Sequence, residues 1–187
     1  MKKSSVGLMI VIAIIAILAL ILISNYNSIV SKSEEVDNKF ATIDTYLQRR
    51  ADLIPNLVNT VKGYTEQEQE IVKSITDART KMVGATSISE KAEANNKLTS
   101  ALNNLMVIVE NYPDLKSSQN FIQLSDELAG TENRIATARR DYNESVKDYN
   151  LKIKKFPTGI IANMFGYEAK EYFQATEESQ EVPNVQF

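Results

Sequence analysis

FIQLSDELAGTENRIATARRDYNESVKDYNLKIKKF, residues 121–156, is the stretch that decides the fold. Phe121, Leu128, Ile135, Tyr142, Tyr149 and Phe156 fall at seven-residue intervals within it. Bulky apolar side chains at that spacing line one face of a helix, so the pattern predicts a helix of about 35 residues. Phe156-Pro157 ends it, because the residue before a proline is forced out of the α region.

Upstream, the same periodicity predicts three more helices. Ile29, Val36, Ile43 and Arg50 are spaced by seven, with Ser33, Phe40 and Leu47 as the partner row, so a first helix reads to about Arg50. Asp52 then reads as an N-cap, with Pro55 in the first turn of a second helix reaching about Val83. Its rows are Leu57, Tyr64, Ile71 and Ala78, and Val61, Glu68, Ile75 and Met82. Gly84 to Ser89 reads as a loop and Ser89 as the next cap. The third helix covers about Glu90 to Glu110, with Leu98, Leu102, Leu105 and Val109 inward, and ends at Asn111-Tyr112-Pro113-Asp114. Downstream of Pro157, Ile160, Ile161, Met164 and Phe165 form a short amphipathic piece closed by Gly166, and from Thr176 no helical pattern remains. Heptads serve coiled coils between chains as well as bundles within one. The short connections favour an all-α, antiparallel up-and-down four-helix bundle.

Val6 to Ile23 (VGLMIVIAIIAILALILI) is different: 18 residues without a charge or a strongly polar side chain. At about 1.5 Å per residue it covers roughly 27 Å, close to the hydrocarbon core of a bilayer. It is longer than a signal-peptide core, and Ser24, Asn25, Tyr26 and Asn27 offer no clean cleavage site. There is no cysteine to acylate. The run therefore reads as a retained single-pass anchor. The chain divides into a short basic N-terminus (1–5), a transmembrane helix (6–23), a helical bundle domain (24–175) and a flexible tail (176–187). Lys2 and Lys3 precede the run, against Lys32, Glu34, Glu35, Asp37 and Lys39 after it, which favours the N-terminus inside and the bundle outside the cell membrane.

The residues after the run hold all 24 acidic side chains but 19 of the 21 basic ones, which argues against a nucleic-acid groove or a polybasic lipid patch. The absence of cysteine and histidine removes thiolate nucleophiles, zinc–thiolate sites, Ser-His-Asp triads and HExxH motifs. No cofactor and no metal site is expected. Carboxylate-only metal chemistry or an enzymatic helical bundle is the alternative reading, with no nucleophile–base pair to support it.

A few polar residues stand where a stripe should be apolar. Glu68 lies in the row of Val61, Ile75 and Met82, either on the rim or paired in the interior with one of Arg50, Arg79, Arg134 or Arg139. Glu132 and Arg139 are seven apart beside the aromatic row. Arg49-Arg50 and Arg139-Arg140 read as pairs with one member inside and one solvated. Asn143 and Asn150, each following a tyrosine, are candidates for setting helix register. Tyr26, Ile29 and Val30 have no evident cover within the chain, which makes the start of the first helix a candidate contact surface.

The segment Leu47-Gln48-Arg49-Arg50-Ala51-Asp52-Leu53-Ile54-Pro55-Asn56-Leu57-Val58, with Val61-Lys62-Gly63-Tyr64, resembles the LemA family. So do Tyr112-Pro113-Asp114-Leu115-Lys116 and the stretch from Glu127 through Arg134 and Arg139 to Tyr142 and Asn143, as does the ending Val182-Pro183-Asn184-Val185-Gln186-Phe187. Gln67 departs from the histidine frequent in the family before the glutamate that matches Glu68. The resemblance implies a bacterial, membrane-anchored helical bundle of the cell envelope. It implies no activity. Family members accompany TPM-domain proteins or a membrane protease, and a magnetosome-associated relative shares the fold. The expectation is a non-enzymatic scaffold that meets the lipid bilayer through residues 6–23 and protein partners, or copies of itself, in the membrane plane.

If each later stripe needs only its neighbours, deleting Met1–Ile23 should release a soluble, strongly helical chain. Circular dichroism checks this. An unfolded truncated chain would mean that the helices depend on the membrane or on another polypeptide.

Overall fold

The computed structural model describes residues 2–64 and 68–174, with side chains from residue 7 onward. Gln67 and the tail expected from Thr176 lie outside the described residues. Every regular element among the described residues is helical: α1 (Lys2–Lys62), α2 (Gln69–Gly84), α3 (Ile88–Val109), α4 (Pro113–Lys116), α5 (Gln119–Lys154) and α6 (Thr158–Met164).

The expected break at Arg50–Asp52 is absent. α1 runs on to Lys62 with Pro55 inside it, and Asp52 is an exposed helical residue instead of an N-cap. The apolar pattern explains why. The row Ile29, Val36, Ile43, Arg50 continues to Leu57, and Leu47 continues to Ile54 and Val61, all of them buried. A break would have thrown Leu57 and Val61 off the stripe. Proline inside a helix leaves the carbonyl four residues earlier without its donor. Here that carbonyl belongs to Ala51, and it accepts a hydrogen bond from Arg79 Nε at 2.8 Å. An arginine on α2 thus replaces the N–H that Pro55 lacks.

α2 buries Ile71, Ile75, Ala78 and Met82, and packs against α3. The cap of α3 is Ser87, two residues earlier than expected. Ser87 Oγ accepts from Glu90 N at 3.1 Å, while Glu90 Oε2 accepts from Ser87 N at 3.0 Å. Ser87 is three residues before Glu90, the spacing of a capping box; Ser89 is not. Hydrogen bonds from the Ser87 and Thr86 backbone hold the Glu90 carboxyl below its ordinary pKa. Along α3, Leu98, Leu105 and Val109 are buried and Leu102 is half-buried. In α5, Phe121, Leu128, Ile135, Tyr142 and Tyr149 are all buried. Phe156 breaks the series: it lies beyond the helix end and is 85% exposed.

The chain separates into two compact units, and the division falls within α1 and α5. One unit contains Met1–Lys39 and Asn143–Glu171. In it Lys32 faces Asp148 at 3.5 Å, Thr158 Oγ1 donates to Asn25 Oδ1 at 2.7 Å, and Tyr149 donates to the Glu168 carbonyl at 3.0 Å. Asn150 accepts from Lys170 N and donates to its carbonyl, both at 2.9 Å. The other unit contains Phe40–Tyr142 and the chain from Tyr172. Its core includes Tyr142 and Phe173, and the half-buried Phe40 ring lies 5.8 Å from that of Tyr142.

Arg79→Met is expected to destabilise by about 1–3 kcal/mol, because it strands the Ala51 carbonyl. In a Pro55→Ala background the same change should cost less, since the restored N–H supplies the bond. Denaturant titration of the four chains checks this. Equal costs in both backgrounds would show that Arg79 does not compensate for the proline.

Candidate functional site

Arg50 is the most deeply placed charge among the described residues, 2% exposed in a row that is otherwise apolar. Adjacent helical residues point about 100° apart, so Arg49 is left in solvent. Removing a guanidinium from water costs several kcal/mol unless partners surround it. α3 and α5 bring those partners. Arg50 Nη1 donates to Asn95 Oδ1 at 2.6 Å and to Thr99 Oγ1 at 3.0 Å, and lies 2.5 Å from Glu132 Oε2. Burial lowers the pKa of Arg50, and the charge of Glu132 works against that shift. Three acceptors thus crowd one nitrogen. Arg50 Nε, Asn95 Nδ2 and Ser125 Oγ have no hydrogen-bond partner among the described residues.

A cavity of about 310 Å³ opens beside this cluster. Leu57, Leu102, Leu105, Met106, Leu128 and Ala129 form its apolar wall, and Arg50, Ser125 and Glu132 add polar groups to the lining. The pairing of Arg50 with Glu132 makes that lining close to neutral. Such a site suits an apolar body carrying an uncharged hydrogen-bonding group. Among the described residues no three His, Cys, Asp or Glu side chains gather as metal ligands do.

The other sequence-derived candidates are dispersed. Glu68 is half-buried at the N-cap position of α2, and its partner is Tyr112, whose hydroxyl donates to Oε1 at 2.8 Å. Of the two readings the sequence left open, rim or arginine-paired, the arginine pairing is corrected: Arg79 serves Ala51, Arg50 serves Glu132, and Arg134 is exposed. Glu132 does not share its seam with Arg139, which stacks 5.1 Å over the Phe173 ring. Pro113 and Asp114 are exposed in the first turn of α4, while Leu115 is buried. Asp52 accepts from Gln48 at 2.8 Å. Tyr142 is core and Asn143 half-buried.

Tyr26 and Ile29 are not the uncovered surface the sequence suggested. Ile29 is fully buried, and the Tyr26 ring lies 4.8 Å from Phe165 and 6.2 Å from Tyr167. The chain after α5 returns to cover them, a contact 139 residues distant in sequence between Tyr26 and Phe165 that no local pattern announces. Sequence reasoning also missed Asn95 and Thr99. Asn95 falls three residues before Leu98, on the inward face of α3, and a buried asparagine on an apolar face was the available signal.

The LemA family model matches residues 39–187. Magnetosome protein MamQ 2 of Paramagnetospirillum magneticum is 29% identical, over 92% of this chain and 74% of its own. Magnetosome protein MamQ of Magnetospirillum gryphiswaldense is 28% identical over the same shares. Protein LemA of Metamycoplasma hominis is 29% identical, over 87% of this chain and 75% of its own.

Arg50→Ala should destabilise by about 3–5 kcal/mol, because it strands Glu132 and the polar groups of α3. Arg50→Ala combined with Glu132→Ala should cost less than the sum of the single changes. A double-mutant cycle by chemical denaturation measures this. Strict additivity would remove the ion pair as a structural element.

Proposed function

The chain belongs to the LemA family, and from that premise we propose that it is a non-enzymatic, membrane-anchored structural and interaction protein of the bacterial envelope. The proposed architecture is an antiparallel four-helix bundle carried on one transmembrane helix. Within the unit that holds Phe40–Tyr142, partners on α5 fall in number as α1 rises: Tyr142 for Phe40, Glu132 for Arg50. That descent supports opposed directions for the two longest helices. α1 contains one segment long and apolar enough to cross a membrane, and from Gly7 to Ile23 its apolar run is exposed. The N-terminus inside and the folded part outside is the orientation the lysine distribution supports.

The observation that carries the interaction role is the cavity beside Arg50. The charged groups at its edge are engaged with one another, which suits recognition better than proton transfer. Its wall reaches the surface at Met106, which is 48% exposed. An apolar wall with a few fixed polar groups is what a side chain from another protein can enter. A TPM-domain protein, a membrane protease or a second copy is the class of partner the family reading offers. Confinement to a membrane plane raises effective concentration, so a contact of this size can suffice.

The cysteine-free chain makes the test direct. Full-length protein carrying Met106→Cys, in its own membrane, should give discrete disulfide or bismaleimide products with a partner or a second copy. Asp52→Cys, at an exposed position on α1, should not. Absence of any product at Met106, or stoichiometric metal together with turnover in the purified chain, would sink the scaffold reading.

A further inference from the structure

We propose that the tip joining α5 to α6, together with the outer face of α6, is a second lipid-contacting element that rests on the bilayer surface beside the anchor. The inference depends on the membrane-anchored reading above. Its first support is position. Asn25 lies two residues past the apolar run, about 3 Å along a helix axis. Thr158, the first residue of α6, donates to Asn25 Oδ1 at 2.7 Å, and Phe165 packs on Tyr26 at 4.8 Å. Both ends of α6 are therefore tied to α1 where it leaves the apolar run.

The second support is chemistry. α6 turns Thr158, Ile161 and Ala162 inward, where they are buried. Its outer side presents apolar residues as well: Ile160 and Met164 are each 62% exposed, with Phe156 at 85% before the helix and Phe165 at 55% after it. Ile160 and Met164 are four residues apart and share a face. No charged residue occurs from Phe156 to Tyr167. Asn163 is the one exposed polar side chain of α6, so the helix offers water little besides apolar surface. Isolated exposed apolar residues are ordinary, but four within ten residues on one short element are not.

The third support is the charge beside the patch. Between Asp148 and Glu168 the only ionisable side chains with full charge are Lys152, Lys154 and Lys155. The chain as a whole is acidic, and this cluster is a local departure from that balance. Lysines flanking an apolar patch, with Tyr26 and Tyr167 at the same level, match what the headgroup region selects. The tip is also held in place. A Cβ at Gly159 would meet the Ile153 carbonyl at 3.0 Å, and Gly159 N donates to the Lys155 carbonyl at 2.6 Å. The turn folds tightly onto the end of α5 and fixes which face is outward.

The chain has no tryptophan, so single substitutions report cleanly. Full-length Phe156→Trp and Ile160→Trp, reconstituted in vesicles of phosphatidylethanolamine and phosphatidylglycerol, should emit to the blue of Glu144→Trp. Brominated lipids should quench both, most strongly with bromine near the headgroup end of the acyl chain, consistent with insertion of about 5–10 Å. The exposed Glu144 position, about 15 Å back along α5, should stay unquenched. Flotation of the same vesicles separates the two readings. A chain that does not float defeats the anchor itself. A chain that floats with unquenched emission at 156 and 160 overturns this inference alone. Blue-shifted emission without bromolipid quenching means a protein contact in place of lipid, and also overturns it. A nitroxide on Ile160→Cys measures the same insertion without adding an aromatic ring. Its accessibility to oxygen should exceed that to a polar nickel reagent, and the reverse order would place it in water.

Discussion

A guanidinium buried to 2% exposure obliges its surroundings to answer it. Arg50 needs acceptors within hydrogen-bond reach, and α1 supplies none of those it uses. Asn95 and Thr99 on α3 and Glu132 on α5 do. Three helices must therefore hold one register relative to one another, because a shift of one residue would replace an acceptor by a methylene. Apolar residues of similar volume at both 50 and 132 would give comparable or greater stability without that demand. The buried cation contributes geometry more than energy. It also leaves polar groups in excess beside a cavity whose walls are otherwise hydrocarbon.

The same unit solves a second problem of backbone accounting. Pro55 removes a donor near the C-terminal end of a 61-residue helix, and Arg79 Nε replaces it from α2. Arg50 and Arg79 thus perform opposite tasks. One is a charge that the helices gather around. The other brings a donor to a backbone that lacks one. Glu68 and Tyr112 make a third link, between the start of α2 and the turn after α3. None of these links involves a nucleophile poised beside a base. They are structural connections between helices, beside a recessed surface.

In the other unit the ordering groups are polar caps on apolar contacts. Lys170 donates to the Ser33 carbonyl at 3.1 Å and to Asp37 at 2.5 Å, and its ammonium lies 5.5 Å over the Tyr149 ring. Burial, with Asp37 adding to it, raises the pKa of the Tyr149 phenol. The segment after α6, irregular in its backbone, is thereby held against helical residues more than a hundred positions earlier in the chain. The consequence is that the segment just beyond the apolar run is covered at Ile29, while Phe156, Ile160 and Met164 are presented outward in its place.

The helical class, the membrane-length apolar run and the inward row of α5 from Phe121 to Tyr149 were determined by sequence, because a 3.6-residue period and an uninterrupted apolar stretch are local properties. The continuity of α1 through Pro55 was legible too, in the rows that pass from Arg50 to Leu57 and from Leu47 to Val61. A proline and a plausible cap outweighed it, since the donor that makes Pro55 tolerable sits on another helix. The start of α3 at Ser87 was equally readable from the spacing to Glu90. Phe156 fits the heptad and is nonetheless exposed, because the helix ends before it and a period says nothing about where a neighbour stops. The partners of Arg50, the assignment of Glu68 to Tyr112 and the cover over Ile29 were decided by tertiary structure alone. Each joins residues from separate elements, and a charge on an apolar stripe states that a partner is required without stating which one the fold will bring.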